Sequence, residues 1–164
     1  MRALTAFNAR LARYGMYAAV AGLMAIVAVV AWQVFGRYVL NASPTWAENV
    51  ALVLILYVTL LGAAVGVRDA GHIGMESLLV LVPERVRNRL EILIYVLVGT
   101  FGAIMAWNGA ILAASVAPYK IPTLGISEAF NQAPLVVSGV LIVLFSLEHV
   151  VALFRGEEVK PAWH

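Results

Sequence analysis

The stretch YGMYAAVAGLMAIVAVVAWQVF, from Tyr14 to Phe35, contains no charged residue and decides the class of fold. An α-helix rises about 1.5 Å per residue, so some 20 apolar residues cross a hydrocarbon core of roughly 30 Å. Three further blocks of similar length, nearly free of charge, follow at Trp46 to Val67, Leu90 to Ala114 and Pro134 to Phe154. The sequence therefore predicts an integral membrane protein with four spans.

The composition agrees with this prediction and indicates helices. Of the 164 residues, 63% are hydrophobic and 12% are charged, whereas about 25% are charged in an ordinary soluble domain. Backbone groups inside lipid must be satisfied within the segment, and the blocks lack the residue alternation of barrel strands. No internal repeat or soluble domain is visible. We predict an all-α fold in which residues 1–164 form one membrane domain.

Several classes of function are disfavoured by what the chain lacks. There is no cysteine, which excludes disulfides, thiolate metal sites and thiol catalysis. The net charge of +2 is too small to suggest nucleic-acid binding. A haem-binding bundle would need histidines that face each other within the spans, whereas His72 and His149 are predicted at a membrane surface. We therefore expect no cofactor, no metal site and no enzymatic activity.

The positive charges predict the orientation in the membrane. All but two of the 11 Lys and Arg residues precede span one, lie between spans two and three, or follow span four. The exceptions are Arg37 and Lys120. By the positive-inside rule, both termini and the middle connection are cytoplasmic. The basic residues before Tyr14 also resemble the start of a signal peptide, but the apolar block exceeds the roughly 7–15 residues of a signal core, so we expect span one to be retained.

The first connection, RYVLNASPTWAEN from Arg37 to Asn49, reads as a tight outward-facing helical hairpin. Two caps suit the second helix: Ser43 followed by Pro44, or Thr45 with Glu48 in a T-x-x-E capping box. We favour Glu48 as a cap or interface anchor. An ion pair with Arg37 and a role in proton or substrate coupling are the two alternatives.

The other two connections differ in character. Residues 73–82 form an apolar stretch too short to cross, ended by Pro83 and followed by basic residues, which predicts a short amphipathic helix along the inner surface. The third connection contains three prolines and should be an ordered but irregular outer loop. Trp32 and Trp46 lie near the outer interface, as in an aromatic belt.

Polar and small residues within the spans are few. Gly62 and Gly66 form a G-x-x-x-G spacing that permits close helix approach. Glu91, four residues after Arg87, and Glu148 are predicted at the interface. The main uncharged polar residues are too sparse to build a solute pathway: Gln33, Thr59, Thr100, Asn108 and Ser138.

An ordered set of motifs resembles the small, DctQ-like membrane subunit of tripartite ATP-independent periplasmic (TRAP) transporters. The motifs are Q-V-F-x-R-Y-V-x-N from Gln33 to Asn41, W-x-E from Trp46 to Glu48, L-G-A-A from Leu61 to Ala64 and R-x-x-x-H-I from Arg68 to Ile73, with Glu76, Pro83 and Pro134 following in order. Many relatives have a second acid where this chain has Asn49, and Asp where it has Glu76. The motifs add Arg68 and His72 to the structural or interface candidates, which are Arg37, Trp46, Glu48, Gly62, Gly66, Arg68 and His72.

The resemblance implies an accessory role in the bacterial inner membrane. In such transporters a periplasmic solute-binding protein delivers an organic acid, a large membrane subunit carries it inward with sodium, and the small subunit braces the large one. The partners implied are thus the large subunit, the binding protein and the lipid bilayer. The alternative function is an autonomous four-helix, proton-coupled multidrug exporter, which would require an intramembrane glutamate near the middle of an early span.

Overall fold

The structure is a computed structural model that describes residues 2–42, 44–69 and 84–155. Within these ranges the chain forms four helices, α1 (Arg2–Tyr38), α2 (Thr45–Asp69), α3 (Glu84–Val116) and α4 (Ala129–Arg155). All four are long and apolar enough to cross a membrane. The all-α class and the four spans are confirmed, and every helix extends beyond its predicted block at both ends. The predicted inner-surface helix over 73–82 lies outside the described residues, and the orientation stays a prediction.

The helices pack in the spatial order α1, α2, α4, α3. Helix α4 is the most buried of the four, whereas α1 and α3 lie at the two edges. A small apolar core forms where α1, α2 and α4 meet, and it consists of Ala12, Ala64, Val65, Ile142 and Phe145. The rest of the apolar surface faces outward, as expected for helices in lipid.

Glycines set how closely neighbouring helices approach. A Cβ atom at Gly22 of α1 would lie 2.6 Å from the side chain of Val58 in α2. A Cβ atom at Gly139 of α4 would lie 2.7 Å from the carbonyl oxygen of Gly102 in α3. Only hydrogen fits at these positions, so the backbones of α1 and α2, and of α3 and α4, are in close contact. The predicted hairpin of spans one and two as antiparallel neighbours is confirmed.

The hairpin between α1 and α2 turns through a left-handed residue. Asn41 has φ 53°, and the amide of Ala42 donates to the carbonyl of Gly36 at 3.0 Å. Asparagine is among the residues that tolerate this backbone conformation. Helix α2 begins at Thr45, so Thr45 is its first helical residue and Pro44 stands at the N-cap position; the predicted capping box with Thr45 as the N-cap is therefore not formed. The other capping residue, Ser43, is outside the described residues.

The connection between α3 and α4 is irregular and tied down, as predicted. It is built of turns with a single antiparallel bridge between Lys120 and Ser127. The side-chain amide of Asn49 in α2 donates to the hydroxyl of Thr123. This contact fixes the loop over the first turn of α2.

Helix α4 contains a proline that creates a contact with α2. Pro134 lies inside the helix and lacks an N–H, so the carbonyl of Phe130, four residues earlier, loses its usual helical donor. The hydroxyl of Tyr57 in α2 donates to that carbonyl at 3.0 Å. A gap in the hydrogen bonding of one helix is thereby filled by its neighbour.

Candidate functional site

A buried polar network joins the helices at one end of the molecule. Helices α2 and α4 end on the side where α1 begins, and five polar residues meet there: Asn8, Arg68, Asp69, Glu148 and His149. All five are buried, and Arg68 and Glu148 are each only 1% exposed. We call these five residues the Arg68 network. By the predicted orientation it lies at the cytoplasmic edge of the membrane.

The centre of the network is a two-point ion pair between α2 and α4. Arg68 Nε lies 3.2 Å from Glu148 Oε2, and Arg68 Nη2 lies 3.2 Å from Glu148 Oε1. The remaining terminal nitrogen, Nη1, donates to Asp69 Oδ1 at 2.8 Å. A planar guanidinium suits this arrangement because its donors form a rigid fork that matches a carboxylate.

Helix α1 joins the network through one amide side chain. Asn8 Nδ2 donates to Glu148 Oε2 at 2.8 Å and makes a longer contact of 3.4 Å with the carbonyl of Leu144. Both oxygens of the Glu148 carboxylate therefore have donors on other helices. The network thus fixes the start of α1 against α4, to which α1 is otherwise only weakly attached.

His149 connects the end of α2 with α3. Its Nε2 lies 2.9 Å from the carbonyl oxygen of Arg68, and because a carbonyl only accepts, Nε2 carries the hydrogen. The last carbonyls of a helix have no intrahelical donor, so this bond caps α2. The imidazole also stacks on the ring of Tyr95 in α3, with centroids 4.3 Å apart and planes at 2°.

A second ion pair on α3 lies beside this stack. Arg87 Nε donates to Glu91 Oε1 at 2.9 Å, as the i, i+4 spacing predicted. Glu91 is 4% exposed, so it is buried against its neighbours, and its predicted depth at the membrane interface stays a prediction. All four helices therefore contribute polar side chains to the same end of the bundle.

The burial of Glu148 and His149 was not predicted. His149 was expected at the surface and is 2% exposed, so that prediction was wrong, whereas the interfacial depth predicted for Glu148, which is 1% exposed, stays a prediction. Distance along a span gives depth in the membrane and does not show which face of the helix meets a neighbour. The available signal was the adjacent pair Glu148 and His149 at the end of one span, with the oppositely charged Arg68 at the end of another. Asn8 was also missed, because it precedes the first apolar block and its sequence context does not indicate contact with another helix.

The charges of the first hairpin do not pair. Arg37 in the last turn of α1 and Glu48 in the first turn of α2 are both exposed, and the ion pairs between described residues do not include them. Each suits its helix end, since a cation is favoured at a C-terminus and an anion at an N-terminus. Trp46 is 42% exposed beside them. Their role in an interface stays a prediction.

The G-x-x-x-G glycines of α2 point away from the described helices. A Cβ atom added at Gly62 or at Gly66 would meet no described atom within 4 Å. Within this chain, close helix contact occurs instead at glycines of α1, α3 and α4. His72, the remaining candidate, lies outside the described residues.

The network has the chemistry of a structural junction. Its charged atoms are bonded to one another across helices, at the end of the bundle and away from the middle of any span. Among the residues that the structure describes, no three His, Cys, Asp or Glu side chains are grouped so as to hold a metal ion.

Comparison with known proteins identifies related membrane proteins. The profile of the DctQ component of tripartite ATP-independent periplasmic transporters matches residues 26–156. The sialic acid TRAP transporter small permease protein SiaQ of Vibrio cholerae is 31% identical over 134 residues, covering 78% of this chain and 74% of that protein. The sialic acid TRAP transporter permease protein SiaT of Haemophilus influenzae is 30% identical over 138 residues, covering 79% of this chain and 21% of that longer protein.

Proposed function

The chain belongs to the DctQ component family of tripartite ATP-independent periplasmic transporters, and we propose that it braces a large membrane subunit for sodium-coupled uptake of an organic acid. In this proposal a periplasmic binding protein delivers the acid. As a TRAP small permease the chain is a multi-pass protein of the bacterial inner membrane, and it pairs with a large permease subunit.

The longer relative supports the bracing role. A region like this chain makes up 21% of that permease protein, so in that relative it is covalently joined to a much larger remainder. A segment that is fused in one protein and separate in another is expected to bind the remainder when separate. Sialic acid is named for both relatives. An organic acid is the corresponding class of solute for this chain.

The observation that carries the proposal is the Arg68 network. It uses the charges of Arg68, Asp69 and Glu148 to fix α1, α2 and α4 at one end, and His149 extends the contact to α3. Helices joined by such bonds are suited to act as a rigid support for a subunit that moves. Transport of the solute and of sodium is then assigned to the large subunit.

The alternative exporter gains no support from the early spans. Its required glutamate would be Glu48, which lies in the first turn of α2 and is exposed. The outer loops, including the ordered segment held by Asn49 and Thr123, are in our proposal the part of the chain offered to the binding protein.

Transport in proteoliposomes tests the proposal. Vesicles would contain the large subunit with or without this chain, with binding protein, solute and a sodium gradient outside. We expect sodium-dependent uptake to be stable only when both membrane subunits are present. Full and lasting uptake by the large subunit alone would defeat the bracing role, and proton-driven efflux by this chain alone, abolished by Glu48→Gln, would support the exporter instead.

A further inference from the structure

Helix α3 packs on α4 with one face, and its opposite face is exposed. Its inner face packs on α4 through glycines, and Cβ atoms at Gly99, Gly102 and Gly109 would lie 2.8 to 3.2 Å from α4 side chains. Its helix packing within the described chain is with α4. The opposite side is exposed along several turns and consists of Thr100, Phe101, Ile104, Trp107, Asn108 and Ile111. We call these six residues the Asn108 face.

The face is not uniformly suited to lipid because it presents an amide. Asn108 Nδ2 donates to the carbonyl of Ile104 at 2.9 Å, the one hydrogen bond of this side chain within the described residues. A primary amide has two N–H donors and a carbonyl acceptor, so part of its capacity points outward. Thr100 differs, because its hydroxyl donates to the carbonyl of Val96 at 2.8 Å and so returns to its own helix.

The predicted span places the amide of Asn108 within the hydrocarbon. Asn108 is about 9 Å along the helix from Gly102, the middle of the span predicted from Leu90 to Ala114. That is less than the roughly 15 Å half-thickness of the hydrocarbon core. Acyl chains offer no hydrogen bonds at this depth, whereas asparagine side chains associate with polar groups on other membrane helices. The neighbouring Trp107, 72% exposed, supplies a large side chain for packing.

We propose that the Asn108 face of α3 binds a transmembrane helix of the large permease. This inference rests on the proposed function, which supplies a membrane-embedded partner, and on the relative in which a region like this chain is continuous with a longer permease. The exposed side of α2 that carries Gly62 and Gly66 is a weaker candidate for this contact, since neither glycine has a side-chain group that needs a hydrogen-bonding partner. The occupant of the Asn108 face is thus a helix with a polar side chain at the depth of Asn108.

Photo-crosslinking within the assembled complex tests the surface. The photoreactive residue p-benzoylphenylalanine would replace Phe101 or Trp107 on the face, and Met24, 64% exposed on α1, as the control. Ile55 would report on the open side of α2. We expect a product with the combined mass of the two permease subunits from Phe101 and Trp107, and about tenfold less from Met24 and Ile55.

A second measurement tests the amide itself. We expect Asn108→Leu to lower the amount of large subunit that co-purifies by about threefold to tenfold, with partial rescue in Asn108→Gln. Products with lipid alone, products with a second copy of this chain, products from Ile55 alone or unchanged co-purification in Asn108→Leu would overturn the proposal. Failure of the unmodified chains to co-purify would instead overturn the proposed function.

Discussion

The guanidinium of Arg68 in α2 binds both carboxylate oxygens of Glu148 in α4, 80 residues further along the chain. The pair is buried, so its two charges are removed from both water and lipid headgroups. Taking charges out of water is costly, and such a pair is stable only when its hydrogen bonds are complete. The free energy of unfolding of variants that lack one or more of these charges measures how much each partner depends on the other.

Removal of one member of this pair should destabilise the protein strongly. We expect Glu148→Ala or Arg68→Ala to lower the free energy of unfolding by about 3–5 kcal/mol, because Glu148→Ala removes the carboxylate that binds Arg68 at two points and Arg68→Ala removes the cation that Glu148 and Asp69 share. Thermal unfolding in detergent, followed by tryptophan fluorescence, measures the change. The control is Arg37→Ala, since the Arg37 side chain is exposed and is in none of the ion pairs between described residues, so the change should be about 1 kcal/mol or less.

Replacing the paired charges together shows whether the loss of stability comes from an unpaired charge. The triple variant Arg68→Met, Asp69→Asn and Glu148→Met should recover a large part of the lost stability, because the second carboxylate that binds Arg68 is then neutral as well. If the triple variant were as unstable as the sum of the single variants, the charges would not be the source of the effect.

The hydroxyl of Tyr57 should matter only while α4 contains its proline. Tyr57→Phe leaves the Phe130 carbonyl without its donor and should cost about 1 kcal/mol. In a Pro134→Ala background the helix supplies its own N–H, so we expect the cost of Tyr57→Phe to fall close to zero. Tyr119→Phe, at an exposed loop tyrosine, is the control. Equal costs in the two backgrounds would contradict the assigned bond.

A methyl group added at a glycine of α4 should lower the unfolding temperature, whereas one added at a glycine of α2 should not. Gly139→Ala places a Cβ 2.7 Å from backbone atoms of Gly102 and Ala106, so α3 and α4 must separate and the unfolding temperature should fall by several degrees. Gly62→Ala meets no described atom within 4 Å and should leave it unchanged or slightly raised, since alanine favours helix. Both are measured on the isolated chain in detergent. Equal losses would show that α2 has a close neighbour at Gly62.

The charges of the first hairpin should act independently. Because Arg37 and Glu48 do not pair, the effects of Arg37→Ala and Glu48→Ala on assembly with the large subunit should add within about 0.5 kcal/mol. We expect both to lower co-purification more than they alter the substrate profile. A coupling of 1 kcal/mol or more in the double-mutant cycle would restore the ion pair as an explanation.

The membrane class and the spans could be predicted because they depend on length and apolarity, which the sequence displays directly. Arg68 was also identified in advance, through the motif in which it lies. The burial of Glu148 and His149 could not be predicted, because burial depends on which side of α4 faces α2. The side chains of α4 are apolar all around the helix, so the pattern does not mark one side as the inner one. Similarly, the G-x-x-x-G spacing indicates that a helix can pack closely at Gly62 and Gly66, but it does not indicate which helix. No described helix packs there.

The long separation between Arg68 and Glu148 has a consequence for biosynthesis. Helix α2 leaves the ribosome and enters the bilayer well before α4 has been made, so Arg68 reaches the membrane edge with Asp69 beside it and before Glu148 exists. A charge at the edge of the hydrocarbon is tolerated there, whereas deeper insertion would be costly. Helix α4, which is synthesised after α1 and α2, therefore completes their junction. A nascent chain that stops before α4 lacks the two bonds from Arg68 to Glu148, which distinguishes an unfinished subunit from a finished one.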